Sequence, residues 1–167
     1  FSRPMEYKMD PVDLGTLLQR FLERWRPRFS KANVQAYFQL EPDTMWVVGD
    51  ARALEQVFTN LVNNAVQAMK TGGVLAVKMA NRNLPHGSSP EVEVTVSDNG
   101  PGIPDEIREH IFEPFVTNNP QGTGLGLAIT KRIINAHRGS ISVNSFPGGT
   151  VFHVSLPACK PNEGDNS

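Results

Sequence analysis

Two glycine clusters bracket the stretch of sequence in which binding chemistry is most readily placed. The first cluster, Asp98–Gly102, follows directly on a predicted strand, and the second, Gly122–Gly126, leads directly into a predicted helix. Glycine adopts positive φ and lets backbone approach a ligand closely, and free N–H groups at a helix N-terminus favour an anion. The second cluster therefore indicates either a phosphate site or an ordinary loop and helix start. Its G-x-G-x-G spacing matches neither the dinucleotide fingerprint nor a P-loop.

Three polar side chains add chemistry to these clusters. Asp98, at the end of its strand, could accept a hydrogen bond from a ligand amine or could cap the next turn. Asn64 could offer an oxygen to Mg²⁺, which needs few protein oxygens, or could be a satisfied amide at a helix edge. Asn60 lies four residues before Asn64, so the two share one helix face. Taken singly, each residue leaves both interpretations open.

The elements that must position these residues follow from periodicity and capping signals. Asp10-Pro11 predicts a helix N-terminus, and Pro27 is expected to kink or end that helix. Asp50 predicts the cap of a second helix, which Thr71–Gly73 ends. Strands are predicted at 34–40, 46–48, 74–80, 91–97, 141–143 and 152–156, and a third helix at about 124–137. The irregular stretch 98–122, with at most a short helix near 105–110, is long enough to indicate function.

This order of elements, together with the composition, predicts one α+β domain. The chain has 167 residues, of which 39% are hydrophobic and 20% charged, so it can bury a core. The near balance of 16 Lys+Arg and 17 Asp+Glu argues against a nucleic-acid binder. The single cysteine, Cys159, excludes an intrachain disulfide and a multi-cysteine zinc site. No apolar run approaches the roughly 20 residues that span a bilayer, so we expect no direct membrane contact by this domain.

Four ordered motifs together are far more specific than any one residue. They are Asn60-x-x-x-Asn64-Ala65, Asp98-x-Gly100-x-Gly102, Phe112-x-Pro114-Phe115 and Gly122-Thr123-Gly124-Leu125-Gly126-Leu127. This set resembles the asparagine, first glycine, phenylalanine and second glycine boxes of the ATP-binding catalytic domain of sensor histidine kinases, in the superfamily of DNA gyrase, Hsp90 and MutL. The short lid is similar to that of the nitrogen- and oxygen-sensor branch. The resemblance implies a Bergerat-type two-layer α/β sandwich, with a mixed, mostly antiparallel sheet of about five strands covered on one face by about three helices.

The resemblance also implies roles for individual residues. Asn64 would coordinate Mg²⁺, Asn60 would lie near the ATP phosphates, and Asp98 would take the adenine amino group. Asn60 and Asn64 are thus the expected catalytic positions, and Phe112 and Phe115 the anchors of the lid. The expected nucleotide-binding set is Asn60, Asn64, Ala68, Asp98, Gly100, Gly102, Ile103, Gly122, Thr123, Gly124, Leu125, Gly126 and Thr150.

Position 60 separates the reaction types. ATP hydrolases of the superfamily carry a glutamate there as general base, whereas the amide of Asn60 cannot take a proton at neutral pH. A histidine acceptor supplies its own neutral imidazole as nucleophile, so Asn60 favours phosphotransfer to histidine over ATP hydrolysis. Asn119 stands where the lid of this branch often carries lysine, and Lys70 and Lys131 are candidate replacements. The lost cation motivates the alternative of a nucleotide-binding pseudokinase scaffold.

The phosphoacceptor histidine and the binding partners are expected outside this sequence. None of the four histidines fits the phosphoacceptor box, and His137, on an apolar helix face, is expected to be a core residue. The resemblance implies residues 1–9 as a linker from a dimerisation hairpin, 10–157 as the catalytic domain, and 158–167 as a flexible tail. It also implies that this domain is cytoplasmic, that the full-length protein is a homodimer, and that it acts with a response regulator.

Overall fold

The computed structural model describes residues 6–40, 45–82, 89–117 and 122–161, and within them the chain forms seven strands and four helices. The strands are β1 (Asp10–Asp13), β2 (Val34–Leu40), β3 (Trp46–Gly49), β4 (Gly73–Arg82), β5 (Glu91–Asp98), β6 (Ser140–Phe146) and β7 (Gly149–Cys159). The helices are α1 (Leu14–Lys31), α2 (Ala51–Ala68), α3 (Asp105–Arg108) and α4 (Gly126–Ala136).

All the strands join one mixed sheet. Their order is β1-β3-β7-β5-β4-β2, and β6 also pairs with β7. Among the described strands, only β2 and β4 run parallel, and they are connected through β3 and α2; the other pairs are antiparallel. The α+β class is therefore confirmed, with seven strands among the described residues instead of about five.

The helices bury one face of this sheet. Val92, Val94 and Val96 of β5 point inward and are fully buried, and α1 and α2 each contribute six or more buried side chains to the same core. Asp98 continues the inward row of β5, since side chains alternate along a strand. Thr150 of β7 pairs directly with Asp98. The two polar residues thus end the central strands on the helical side.

The first helix begins later than the sequence predicts and does not end at Pro27. Residues 10–13 are strand β1, which pairs with β3, and Asp13 is the true N-cap, accepting from the Thr16 N–H at 3.1 Å. The prediction of a helix at Asp10 was wrong because a distant strand satisfies this backbone. Pro27 lies inside α1, which continues to Lys31. Burial of Phe29 beyond the proline holds the last turn in place.

The ends of the domain differ slightly from the predicted boundaries. β7 runs to Cys159, and its last two residues pair with Trp46 and Val47 of β3, so the strand extends past residue 157 into the predicted tail. At the other end, the Lys8 N–H donates to Asp50 Oδ2 at 2.9 Å. Residues 1–5 and 162–167 lie outside the described part of the chain. No helix within the described residues is long and apolar enough to cross a membrane.

Candidate functional site

A cavity of about 310 Å³ opens between α2, the segment before α4, and the first turn of α4. On the α2 side its walls are side-chain amides that recur at helical spacing and so share one face. They belong to Asn60, Asn63, Asn64 and Gln67. Val116, Thr117, Gly122, Thr123, Gly124, Gly126 and Leu127 complete the lining. None of these described lining residues is charged, so their oxygens suit a hard cation and their N–H groups suit phosphate.

The glycine cluster before α4 brings two chain segments together. Gly124 has φ +72°, and a Cβ there would lie 2.6 Å from the backbone of Phe115. The Phe115 N–H donates to the Gly124 carbonyl at 2.9 Å. The capping residue of α4, Leu125, makes no side-chain capping hydrogen bond, and its own N–H donates to Thr123 Oγ1 at 3.3 Å. The N–H groups of the helical turn that follows can therefore bind a ligand at the cavity.

Asn60 connects α2 to the first turn of α4. Its Nδ2 donates to the Gly126 carbonyl at 3.1 Å and to the Thr130 hydroxyl at 3.2 Å. Thr130 is fully buried, and its hydroxyl donates to the same Gly126 carbonyl at 2.8 Å. The family resemblance predicts a position near the phosphates for Asn60, and the structure shows that its amide nitrogen is hydrogen-bonded to α4.

Asp98 lies outside this cavity, in a second polar cluster at the ends of β5 and β7. Its side chain is 8% exposed, and Oδ1 accepts from the Gly100 N–H at 2.9 Å. Burial raises the pKa of Asp98 above 3.8, and the Gly100 hydrogen bond only partly opposes this. The Ser145 hydroxyl lies 3.3 Å from that of Thr150 and accepts from the Ile103 N–H at 2.6 Å. The buried carboxylate of Asp98 and the hydroxyls of Ser145 and Thr150 could thus form hydrogen bonds with the polar edge of a ligand.

A close approach requires glycine at position 102, and Gly100 lies in a tight contact. Gly102 has φ +87°, and a Cβ there would lie 2.4 Å from the Phe146 carbonyl oxygen. A Cβ at Gly100 would lie 3.1 Å from the carbonyl oxygen of Ala68, in the last turn of α2. Ala68 therefore lies between the two clusters, since its helix also carries Asn64 on the cavity wall.

The structure divides the predicted site residues into two groups. Asn60, Asn64, Gly122, Thr123, Gly124 and Gly126 line the cavity, with Leu125 beside them. Asp98, Gly100, Gly102, Ile103 and Thr150 form the second cluster, with Ala68 against it.

Sequence reasoning missed three residues that hold these groups in place. Thr130 forms a hydrogen bond with Asn60, and Ser145 forms one with Ile103, both between residues far apart in the sequence. No local sequence pattern identifies either Thr130 or Ser145. Asn99 accepts from the Val74 N–H at 2.8 Å and so fixes the first glycine loop to β4. Asn63, by contrast, could have been found from its spacing to Asn60 and Asn64.

The two aromatic residues of the predicted lid anchors differ in their surroundings. Phe112 is half-buried, packs edge-on against Phe152 at 6.3 Å, and has Lys131 Nζ 5.4 Å from its ring centroid. Phe115 has φ +68° and a side chain that is 73% exposed, so it is not a core residue. Asn119 lies outside the described residues. Lys70 and Lys131 do not line the cavity.

His137 and His110 make contacts that are consistent with structural roles. His137 is 3% exposed, its Nδ1 lies 2.7 Å from the Ile133 carbonyl oxygen, and its Nε2 accepts from the Asp50 N–H at 3.0 Å. The expectation of a core histidine is confirmed. On the exposed His110, a hydrogen bond and the charge of Glu113 raise the pKa. Among the described residues, no cluster of three His, Cys, Asp or Glu could hold a metal.

Comparison with known proteins shows which family this chain resembles in sequence. A model of the histidine kinase-, DNA gyrase B- and HSP90-like ATPases matches residues 49–160. The sensory histidine kinase/phosphatase NtrB of Rhodobacter capsulatus is 40% identical over 162 residues, which cover 93% of this chain and 45% of NtrB. Sporulation kinase A of Bacillus subtilis is 40% identical over 132 residues, 77% of this chain and 21% of that protein.

Solved structures agree with the sequence relatives. The nucleotide-free catalytic domain of the histidine kinase ThkA superposes with a TM-score of 0.78 at 32% identity, covering 92% of this chain and 96% of that one. Full-length ShkA in complex with AMPPNP gives a TM-score of 0.79 at 28% identity, over 95% of this chain and 33% of ShkA. The chain spans less than half the length of the two curated relatives. Since the family model covers most of its residues and histidine kinase catalytic domains share its fold, the chain belongs to the histidine kinase-, DNA gyrase B- and HSP90-like ATPase family.

Proposed function

We propose that this domain binds Mg-ATP and transfers the γ-phosphoryl group to a histidine on a separate dimerisation domain. The observation that carries the proposal is the cavity itself, in which an amide-bearing face of α2 meets the uncapped N-terminus of α4. Its relatives NtrB and sporulation kinase A are named as kinases. The same proposal includes a cytoplasmic location of this domain, a dimerising parent protein, and a response regulator as the next phosphoryl acceptor.

The residues of the site fit a magnesium-bound nucleotide. Asn64 offers an amide oxygen, and Mg²⁺ accepts one or two protein oxygens because phosphates and water fill its other positions. The metal would neutralise charge on the phosphates. The backbone of Gly122–Gly126 and the first turn of α4 would bind the phosphate oxygens. The buried carboxylate of Asp98 would accept a hydrogen bond from the adenine amino group.

The amide of Asn60 supports transfer to histidine over hydrolysis. Its Nδ2 is bonded to α4, and an amide takes no proton at neutral pH, so Asn60 cannot serve as the base that activates water. A neutral imidazole carries its own lone pair and needs no such base. In this reaction the domain would position the nucleotide and stabilise the negative charge on its phosphates.

A second candidate function is a nucleotide-binding scaffold without phosphotransfer. The observation in its favour is that no cationic side chain is among the described residues lining the cavity. Such a domain would bind nucleotide and act through its contacts with a partner. The two functions differ in one product, phosphohistidine, which only the kinase forms.

The test combines nucleotide binding by this chain with phosphotransfer in a protein that also carries the dimerisation domain. We expect calorimetry to detect a magnesium-dependent complex with a non-hydrolysable ATP analogue, and labelled ATP to yield phosphohistidine. The variant Asn64→Ala should abolish both, because it removes the amide oxygen for the metal. Gln56→Ala, an exposed amide on the same helix, is the control and should change neither.

The outcomes separate the candidates. Magnesium-dependent binding without phosphohistidine would favour the scaffold. Undiminished phosphotransfer in Asn64→Ala would refute the metal assignment. ATP turnover by this chain alone would revive the hydrolase that Asn60 disfavours.

A further inference from the structure

We infer that Thr130 is a positioning residue, which orients the amide of Asn60 so that its oxygen, and not its nitrogen, is offered to the cavity. The inference rests on the proposed function and deepens it, because it assigns Asn60 to the magnesium and its bound water. An Asn60 turned the other way would instead donate its N–H groups to phosphate. Thr130 lies outside the four motifs of the site and does not line the cavity.

The hydroxyl of Thr130 has a single proton, and this proton is already used in a hydrogen bond. Thr130 is 0% exposed, so water does not compete for this group. Its Oγ1 donates to the carbonyl of Gly126, one turn earlier in α4, at 2.8 Å. A hydroxyl whose proton is used can only accept further hydrogen bonds. Thr130 therefore presents a lone pair to Asn60 at 3.2 Å.

The partners of Asn60 then decide which way its amide faces. Gly126 offers a carbonyl, which is only an acceptor, and Thr130 offers its remaining lone pair. Both require a donor, so the nitrogen must face α4 and the oxygen must face away from it. A reversed amide would bring Oδ1 against two acceptors and leave this half-buried oxygen unpaired, which is costly. Since Asn60 lines the cavity, Oδ1 is the amide atom available there.

An oxygen at this position selects its ligand by charge. A carbonyl-type oxygen repels phosphate oxygens and attracts Mg²⁺ or the hydrogens of its bound water. Asn60 and Asn64 lie one helical turn apart, so both amides of this face can serve the cation and its hydration shell. Phosphate binding is then left to the backbone N–H groups of the second glycine cluster. With Thr130 fixing the amide of Asn60, α2 would provide oxygens for the cation, and the N-terminus of α4 would provide N–H groups for phosphate.

The test compares Thr130→Val, which keeps the shape and removes the hydroxyl, with Thr130→Ser, which restores it. The control is Thr59→Val, because the Thr59 hydroxyl makes the same one-turn hydrogen bond, to the Glu55 carbonyl at 2.9 Å, without contacting Asn60 through it. Calorimetry with a non-hydrolysable ATP analogue is run with and without Mg²⁺. NMR follows the side-chain amide protons of Asn60 in the ligand-free chain.

We expect Thr130→Val to weaken the magnesium-dependent part of nucleotide affinity by about tenfold, the usual scale of one buried hydrogen bond. Binding without magnesium should change by less than about twofold. The Asn60 side-chain amide protons should shift and exchange faster with solvent. Thr130→Ser should restore both readouts, and Thr59→Val should change neither. If the valine variant does not fold, Thr130→Ala takes its place.

Three results would overturn the inference. One is an equal loss of affinity with and without magnesium, which would indicate a general structural role. Another is a serine variant that behaves like valine. The third is unchanged Asn60 amide signals in ligand-free Thr130→Val, and this result counts even if the wild-type chain binds no nucleotide, so failure of the inference remains distinct from failure of the proposed function.

Discussion

Replacing Asp98 by asparagine should weaken nucleotide binding while stabilising the ligand-free fold. Asp98 is 8% exposed and uses Oδ1 to accept from Gly100, which leaves Oδ2 for the ligand amine. In Asp98→Asn, the Gly100 hydrogen bond can be kept by the amide oxygen. The second atom then becomes an NH₂ group, a donor facing another donor. One acceptor is lost and an unpaired donor replaces it.

The expected loss follows from the kind of bond removed. A hydrogen bond to a charged group contributes about 1.5–3 kcal/mol, which corresponds to a dissociation constant roughly 10–150-fold higher. Calorimetry with a magnesium-bound, non-hydrolysable ATP analogue measures this ratio. The effect should vanish for the same analogue lacking the 6-amino group. Asp13→Asn is the control, because Asp13 caps α1 and asparagine caps equally well.

The stability of the same variant should change in the opposite direction. Burial raises the pKa of Asp98 above 3.8, so the folded protein holds this proton more tightly than the unfolded chain does. The contribution of Asp98 to the free energy of unfolding is therefore greatest below pH 3.8 and declines as pH rises through the raised pKa. Asp98→Asn should melt at a higher temperature than wild type near pH 7, with the gap closing toward pH 4. Tight, amine-dependent binding in the variant would refute the adenine assignment, and a lower melting temperature at pH 7 would refute the burial argument.

Two further substitutions test the geometry around the site. Gly102→Ala should lower the free energy of unfolding by about 1–3 kcal/mol in urea titrations, since φ is +87° and the new Cβ would meet the Phe146 carbonyl oxygen at 2.4 Å; a change below 0.5 kcal/mol would contradict the observed loop. Phe115→Ala should alter stability by less than about 0.5 kcal/mol, because the side chain is 73% exposed. It should nevertheless reduce phosphotransfer in a protein carrying the dimerisation domain, because we expect the exposed ring to contact that domain; normal phosphohistidine formation would rule out this contact.

Local signals in the sequence were sufficient for most of the fold. Asp50 caps α2 as predicted, with its carboxylate accepting from the Arg52 and Ala53 N–H groups at 3.0 and 3.2 Å. The alternating valines of β5 also gave the buried face correctly. Asp10-Pro11 misled because it has the form of a cap followed by proline at the first helical position. The cap is Asp13, three residues later, and only the pairing of β1 with β3 distinguishes the two.

Prediction of the site failed where distant residues meet. The glycine positions were identifiable, because Gly102 and Gly124 adopt positive φ within recognisable clusters. Ser145 and Thr130 were not, since each depends on a register or helix packing that no local pattern encodes. Ser145 reaches Ile103 across 42 residues, and Asn60 reaches Thr130 across 70.

The charge distribution of the site explains why magnesium should dominate its affinity. Within the described part of the chain, the cavity is lined by uncharged residues, and the one buried carboxylate, Asp98, lies in the separate cluster beyond Ala68. A nucleoside triphosphate carries several negative charges, which neutral amides and a helix N-terminus offset only in part. Under the proposed function, the larger share would come from the cation that the oxygens of Asn60 and Asn64 would hold. The hydrogen bond from Asn60 to Thr130 would therefore support the binding of the cation, which is the strongest attraction for a nucleotide in this cavity. Thr130 has this effect although it is buried and does not line the cavity.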